Sequence, residues 1–158
     1  ILQNPIKMLS VKKATLKDLN AVVPLFDAYR IFYGKQQNTA DSSAFLKARL
    51  ENKESVIFLG SWGNKPVAFT QLYPLFSSTR LQRLWMLNDL FVATAYLQKG
   101  MAQALIDAAK QLAQTTQAAG LFLETEKNNL PGNLLYPKMG FIRDEAHHFY
   151  FWQTTPST

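Results

Sequence analysis

Three apolar runs separated by short turn signals limit most strongly what this chain can fold into. Residues 55–62 and 66–76 flank Gly63-Asn64, a dipeptide that favours a two-residue hairpin turn. Residues 83–92 form a third long run after a short polar segment. Long apolar runs joined by such short turns predict neighbouring antiparallel strands. The middle of the chain is therefore predicted to be a sheet.

The sequence on either side of this sheet has the helical period instead. Apolar residues recur every three or four positions from Leu19 to Tyr29, after a Thr15/Asp18 pair typical of a capping box, and again from Met101 to Ala113. The chain is therefore predicted to be a mixed α/β domain. The other predicted elements are shorter: a strand at 9–14, a helix around 45–50 that is capped by Asp41 or Ser42, a strand at 121–125, a helix at 130–139, and strands at 141–143 and 149–152.

Length and composition indicate one globular domain. The chain has 158 residues, 47% apolar and 18% charged, with no repeat or linker. Residues 1–7 precede the first methionine and are interpreted as a leader or an expression remnant, which leaves a single domain at 8–158. No signal-peptide pattern or membrane-length apolar run is present, so we expect no membrane association and a cytoplasmic location.

The cysteine and histidine content limits the kinds of catalytic and metal-binding site that the chain can form. The chain has no cysteine, which excludes a disulfide scaffold and a cysteine nucleophile. Its two histidines, His147 and His148, are adjacent, and neighbours in a strand point to opposite faces, so we expect no metal site. The net charge of +6 comes from scattered cations rather than a basic stripe. It therefore favours a phosphorylated small molecule over nucleic acid as the anionic partner.

Two segments have residues suited to chemistry. After the strand at 83–92, Lys99, Gly100 and Ala102 open a helix whose unpaired N–H groups could hold a phosphate; an ordinary strand-to-helix turn would have the same sequence. Further on, Tyr136 lies on a short helix. Its phenol, with a pKa near ~10, can donate a proton, but a tyrosine there could equally belong to the core.

Taken together, the two segments resemble the GCN5-related N-acetyltransferase (GNAT) superfamily, in its small single-domain bacterial type. The cofactor-loop signature of that family, Arg/Gln-x-x-Gly-x-Gly/Ala, matches residues 97–102, with Leu97 at its first position. A second family pattern, Asn-x-x-Ala-x-x-Leu-Tyr-x-Lys-x-Gly-Phe, matches residues 129–141, with Gly132 in place of alanine and Pro137 as an unusual residue.

The resemblance implies a fold and a cofactor. The fold is a mostly antiparallel central sheet with splayed strands four and five, flanked by helices. The cofactor is acetyl-CoA, used as a co-substrate with no metal. The residues implied to bind it are Leu90, Phe91 and Val92 for the pantetheine, Gln98, Lys99, Gly100, Met101 and Ala102 for the diphosphate, and Asn129.

The resemblance also implies roles in catalysis. Asp89 is our first candidate for the base that deprotonates the amine, and a structural acceptor is its alternative role. Glu124 and Glu126 on the adjacent predicted strand are the second choices for the base. Tyr136 would protonate the departing thiolate. The acceptor is expected to contact residues that could also serve only as core, namely Tyr29, Phe32, Tyr33, Trp85 and Glu124.

The function implied is transfer of an acetyl group from acetyl-CoA to a primary amine of a small molecule, by direct attack in a ternary complex. Two alternatives stay open: a protein or peptide amine as acceptor, and a non-catalytic acyl-CoA-binding domain. We expect neither nucleic acid nor membrane as partner, and the resemblance allows a homodimer.

Overall fold

The structure is a computed structural model that describes residues 8–155. Five strands form one sheet in chain order, with antiparallel neighbours except for the parallel last pair. The strands are β1 (Leu9–Lys13), β2 (Val56–Trp62), β3 (Lys65–Ser77), β4 (Gln82–Val92) and β5 (Leu121–Phe122). The helices are α1 (Leu19–Phe32), α2 (Thr39–Glu51), α3 (Met101–Thr115) and α4 (Leu130–Lys138). The predicted fold class, a mixed α/β domain with a mostly antiparallel central sheet flanked by helices, is confirmed.

Helices cover both faces of the sheet because its strands alternate apolar side chains to either side. On one face, Phe69 packs with Phe26 of α1 and Leu46 of α2. On the other face, the preceding residue of the same strand, Ala68, packs with Met101 and Leu105 of α3. The sheet is therefore the middle layer of the chain up to Glu124.

The helix starts follow from short polar side chains. Thr15 and Asp18 form the predicted capping box ahead of α1. The predicted N-cap of α2 at Asp41 or Ser42 is wrong, because Asn38 is the cap. Its side chain accepts a hydrogen bond from the Asp41 N–H at 3.0 Å, and the helix starts at Thr39.

Asp27 ties α1 to α2. Its buried carboxylate accepts hydrogen bonds from the Asn38 N–H and the Ser42 hydroxyl, both at 3.0 Å. These bonds, led by the one from Asn38, hold the pKa of Asp27 below its ordinary value. The two helices thereby keep a fixed separation over their face of the sheet.

One strand prediction needs correction. β3 continues through Pro74 to Ser77, although its pairing with β2 ends at Leu72, before the proline. The predicted strand at 121–125 is shorter, since β5 ends at Phe122.

The described chain forms two compact units, and the second begins at Thr125. Within it, α4 is followed by irregular chain, and the strands predicted at 141–143 and 149–152 are wrong for the described residues. Local bonds explain part of this, because Asp144 accepts from the Ala146 N–H at 2.8 Å and so turns the chain. The predicted leader at residues 1–7 lies outside the described residues. Over 8–155 no helix has the length and apolar character needed to span a membrane.

Candidate active site

A β-bulge interrupts the ladder between β3 and β4. Gln71 lies opposite Asp89 and Leu72 lies opposite Leu87, so Asn88 is an extra residue without a partner of its own. In such a bulge two residues of one strand oppose a single residue of the other. Asn88 and Asp89, although consecutive, therefore share one face of the sheet.

That face carries a cavity between the sheet and the first two helices, with a volume of about 390 Å³. Asp89 is only 4% exposed, and it lies beside the rings of Phe26 and Tyr29. The full lining is Phe26, Tyr29, Arg30, Asp41, Ser42, Phe45, Tyr73, Asn88 and Asp89. A buried carboxylate surrounded by aromatic rings suits an amine, which can lose a proton to the carboxylate and pack against the rings.

Three side chains donate hydrogen bonds to the Asp89 carboxylate. Gln71 Nε2 lies 2.8 Å from Oδ2, Asn88 Nδ2 lies 3.0 Å from Oδ1, and the Tyr29 hydroxyl is the third donor. Burial raises the pKa of Asp89 above its ordinary value, and these three hydrogen bonds offset part of the rise. The carboxyl is therefore a stronger base than an exposed aspartate.

The network continues away from the cavity. The Ser55 hydroxyl donates to Gln71 Oε1 at 2.8 Å, and both residues are buried. Neither Ser55 nor Gln71 was predicted from the sequence. The signal that could have drawn attention to Gln71 is a primary amide in an otherwise apolar strand, which needs a buried polar partner.

Tyr73 contributes a neutral hydroxyl to the cavity wall. Burial, with a smaller contribution from the charge of Asp89, raises the pKa of Tyr73 to about 12. Its phenol therefore stays protonated at neutral pH and can act there as a hydrogen-bond donor.

The loop after β4 leads into a helix start suited to an anion. Gln98 and Gly100 both have positive φ angles, 58° and 82°, and Gly100 is the residue that precedes α3. No side chain caps α3, so the N–H groups of its first turn, beginning with Met101 and Ala102, point outward unpaired by a cap. Lys99 adds a cation beside this turn, with its Nζ 5.3 Å from the centre of the Trp62 ring. These residues fit the diphosphate of acetyl-CoA.

Gly60 allows α3 to approach the sheet closely. A Cβ on Gly60 would lie 2.5 Å from Met101 Sδ, closer than real contacts allow. Met101 is the first residue of α3 and is 1% exposed. The glycine in β2 thus fixes where the first turn of α3 lies.

The C-terminal part of β4 has a free edge on the side of β5. Its pairing with β5 is limited to Trp85 with Leu121 and Met86 with Phe122. Leu90, Phe91 and Val92, the predicted pantetheine-binding residues, lie beyond this pairing, with no strand partner on that side among the described residues. Their backbone N–H and C=O groups on that edge suit a ligand that carries amides.

The structure brings Tyr29 and Asp89 to one cavity but not the other predicted acceptor contacts. Trp85 faces α3, where its Nε1 donates to the Thr116 hydroxyl at 2.8 Å. The bulge is the reason, because it reverses which face the odd-numbered residues of β4 take. Phe32 and Tyr33 lie at the end of α1, and Glu124 follows β5; none of the three lines the cavity.

The second unit holds Tyr136 and Asn129. Asn129 caps α4: its Oδ1 accepts from the Gly132 N–H at 3.3 Å, and its Nδ2 donates to the Thr125 hydroxyl at 2.8 Å. Tyr136 lies within α4, its ring 5.8 Å from that of Phe141. A Cβ on Gly132 would lie 2.6 Å from Asn129 Nδ2, so a larger residue there would require the Asn129 side chain to move.

No group of three or more His, Cys, Asp or Glu side chains within residues 8–155 is arranged to hold a metal ion.

Comparison with known proteins places this geometry in a family. The sequence model of the acetyltransferase (GNAT) family matches residues 22–141. The uncharacterized N-acetyltransferase YhfO of Bacillus subtilis (strain 168) is 40% identical over 142 residues, which are 90% of this chain and 95% of that protein. A streptothricin acetyltransferase of Escherichia coli is 31% identical over 123 residues, 74% of this chain and 67% of that protein. The crystal structure of a probable acetyltransferase superposes with a TM-score of 0.88 at 36% identity, covering 94% of this chain and 99% of that one.

Proposed function

Because the chain belongs to the GNAT family of acetyltransferases, we propose that it transfers an acetyl group from acetyl-CoA to a primary amine of a small molecule. The transfer occurs by direct attack in a ternary complex. The observation that carries this proposal is the buried Asp89 carboxylate in a cavity lined by aromatic rings. Asp89 lies on β4, and the C-terminal part of that strand has a free edge.

Acetyl-CoA supplies the acetyl group as a thioester. The first turn of α3, with Gly100 and Lys99, would hold its diphosphate, and the free edge of β4 at Leu90–Val92 would pair with its pantetheine amides. The left-handed backbone of Gly100 supports this role, since it leaves the helix start uncovered by any side chain.

Asp89 prepares the acceptor. A free alkylamine has a pKa near ~10.4 and is mostly protonated at neutral pH, so it must lose a proton before it can attack. The Asp89 carboxylate takes that proton, and the amine nitrogen forms a bond to the acetyl carbon. The carbon–sulfur bond then breaks, and the nitrogen loses a second proton as the amide forms. CoA leaves as a thiolate and takes up a proton, for which Tyr136 is the proposed donor on the basis of the family pattern; the second proton from the nitrogen replaces, by way of solvent, the one that Tyr136 gives.

The acceptor is a small-molecule amine. Asp41 and Asp89 give the cavity two carboxylates, and Tyr29, Phe45 and Tyr73 give it rings that can contact an alkylammonium group. A relative named as a streptothricin acetyltransferase makes amine-bearing antibiotics one class to test.

An acetylation assay across a panel of amines tests the proposal, with released CoA detected as a free thiol. The protein has no cysteine and so adds no background. The panel contains streptothricin, aminoglycosides, diamines, amino acids and a peptide with a free N-terminus. We expect turnover of at least one small amine. Turnover of the peptide alone would show a protein or peptide acetyltransferase, and acetyl-CoA binding without any turnover would show a non-catalytic domain.

A further inference from the structure

Gln71 is a buried amide whose two ends are both engaged. It is 0% exposed and lies opposite Asp89 in the β3–β4 ladder. Burying a primary amide without hydrogen-bond partners strongly disfavours folding, so the hydrogen bonds of Gln71 are a condition of the fold. Its Oε1 accepts from Ser55 and its Nε2 donates to Asp89 Oδ2, each at 2.8 Å.

Ser55 and Asp89 together fix the orientation of the amide. The Ser55 hydroxyl donates to Oε1, and the amide NH₂ points to the carboxylate. In the reversed orientation two acceptor oxygens would face one another, which an ionised Asp89 disfavours. The pair Ser55–Gln71 therefore supports the ionised form of Asp89.

The hydrogen bonds also divide the two carboxylate oxygens. Oδ2 is held by Gln71 from within the sheet, whereas Oδ1 accepts from Asn88, which lines the cavity. The bulge makes this division, since it places both Asn88 and Asp89 opposite Gln71.

We propose that Gln71 is a positioning residue for the acetyl transfer: its amide, oriented by Ser55, holds one oxygen of Asp89 so that the other serves the acceptor amine. This inference rests on the proposed function, in which Asp89 is the base. Neither Gln71 nor Ser55 lines the cavity, so both act through Asp89 alone.

A carboxyl NMR titration with ¹³C-labelled aspartate tests the inference without any acceptor. The Asp89 signal is identified by its absence in Asp89→Asn. We expect Gln71→Leu to raise the titration midpoint of Asp89 by about one pH unit, because a donor to the ionised form is lost. Ser55→Ala is expected to move it in the same direction by less. Tyr29 and Arg30 of α1, Asp41 of α2 and Tyr73 of β3, which line the cavity with Asp89, are unchanged in both variants.

Thr70→Val is the matched control. The Thr70 hydroxyl is buried in the same strand and donates to the backbone oxygen of Asp89 at 2.7 Å, not to its carboxylate. The Thr70→Val substitution removes a comparable buried hydrogen bond, so it should lower the stability of the protein without moving the titration midpoint of Asp89. If Gln71→Leu moves the midpoint no further than Thr70→Val does, the amide is only structural and the inference is overturned. Should Gln71→Leu fail to fold, Ser55→Ala decides by the same criterion.

Kinetics with the fastest amine of the panel separate this inference from the proposed function. We expect Gln71→Leu to lower kcat by about tenfold at pH 7 and by less at pH 9, with the KM for acetyl-CoA unchanged. Full activity of Asp89→Asn would remove the base role, and this inference with it. A large loss in Asp89→Asn beside wild-type kinetics in Gln71→Leu would overturn this inference alone.

Discussion

Among single residues, substitution of Asp89 is expected to change the pH dependence of the reaction most distinctively. In Asp89→Asn the reaction depends on amine that is already neutral, and that fraction grows about tenfold per pH unit below the amine pKa. We expect kcat/KM to fall by about 10²–10⁴-fold at pH 7 and by much less near pH 10. Rates measured from pH 6 to 10 check this. A loss of the same size at every pH would contradict the base role.

The stability of Asp89→Asn should move in the opposite direction to its activity. Burial raises the pKa of Asp89 in the folded protein. A raised pKa favours folding fully below the unfolded value of ~3.9, and this contribution is lost as pH rises through the folded value. At pH 7 the ionised group therefore disfavours folding, and the variant should melt no lower than wild type. A clearly lower Tm at pH 7 would assign Asp89 to structure.

Tyr136→Phe tests the proposed proton donor. A thiolate whose acid has a pKa near ~8.5 leaves without obligatory protonation, so we expect kcat to fall by about 10–1,000-fold, toward the low end. The dissociation constant for acetyl-CoA should stay within about twofold, because the ring still packs beside Phe141. Tyr136→Leu, which also removes the ring, should lower the Tm as well. Unchanged kcat in Tyr136→Phe would return the tyrosine to the core.

Sequence alone indicated Asp89 but not its partners. A carboxylate within an apolar run stands out, because burying it needs a reason. Gln71 and Ser55 stand apart in the sequence, and their contact with Asp89 depends on strand register. The placement of Trp85 depends on the same register. The bulged residue reverses the alternation of side chains along β4 and so puts Trp85 on the face of the sheet opposite the cavity.

At the scale of elements, Gly60 controls where α3 begins. In Gly60→Ala the new methyl group would lie 2.5 Å from Met101 Sδ and 3.3 Å from Ala68 Cβ. We expect a loss of about 1–3 kcal/mol in unfolding free energy. Acetyl-CoA should also bind more weakly, because the first turn of α3 moves. Urea denaturation and calorimetric titration measure the two effects.

Gly120→Ala is the control for that substitution. A Cβ at Gly120 meets no atom within 4 Å, so its stability should stay within about 0.5 kcal/mol of wild type. Equal stability of the two variants would show that the approach of α3 to β2 does not depend on a missing side chain.

Elements with a strong local pattern were predictable and those that depend on a partner were not. α1, α3 and the β2–β3 hairpin follow from periodicity and turn residues. The length of β5 and the absence of strands at 141–143 and 149–152 depend on whether an edge is offered for pairing, which a local pattern does not contain.

For the whole molecule, ligand binding should appear as added thermal stability. At 100 times its dissociation constant, acetyl-CoA adds about 2.7 kcal/mol, which for a chain of this size is a rise of about 5–10 °C in Tm. A DNA duplex at the same concentration should add nothing, because the net charge of +6 comes from scattered cations. A rise with DNA and none with acetyl-CoA would contradict the proposed function.

The bulge at Asn88 also bears on chain length. Every pair of the β3–β4 ladder on either side of it is complete, so a chain lacking that single residue would keep both flanking segments in register and both packed faces. Such a deletion would remove only the second polar side chain beside Asp89 and the local bend of the strand. Asn88 therefore behaves as an insertion that the sheet tolerates. A change of one codon in length could add or remove the Asn88 side chain from the wall of the cavity.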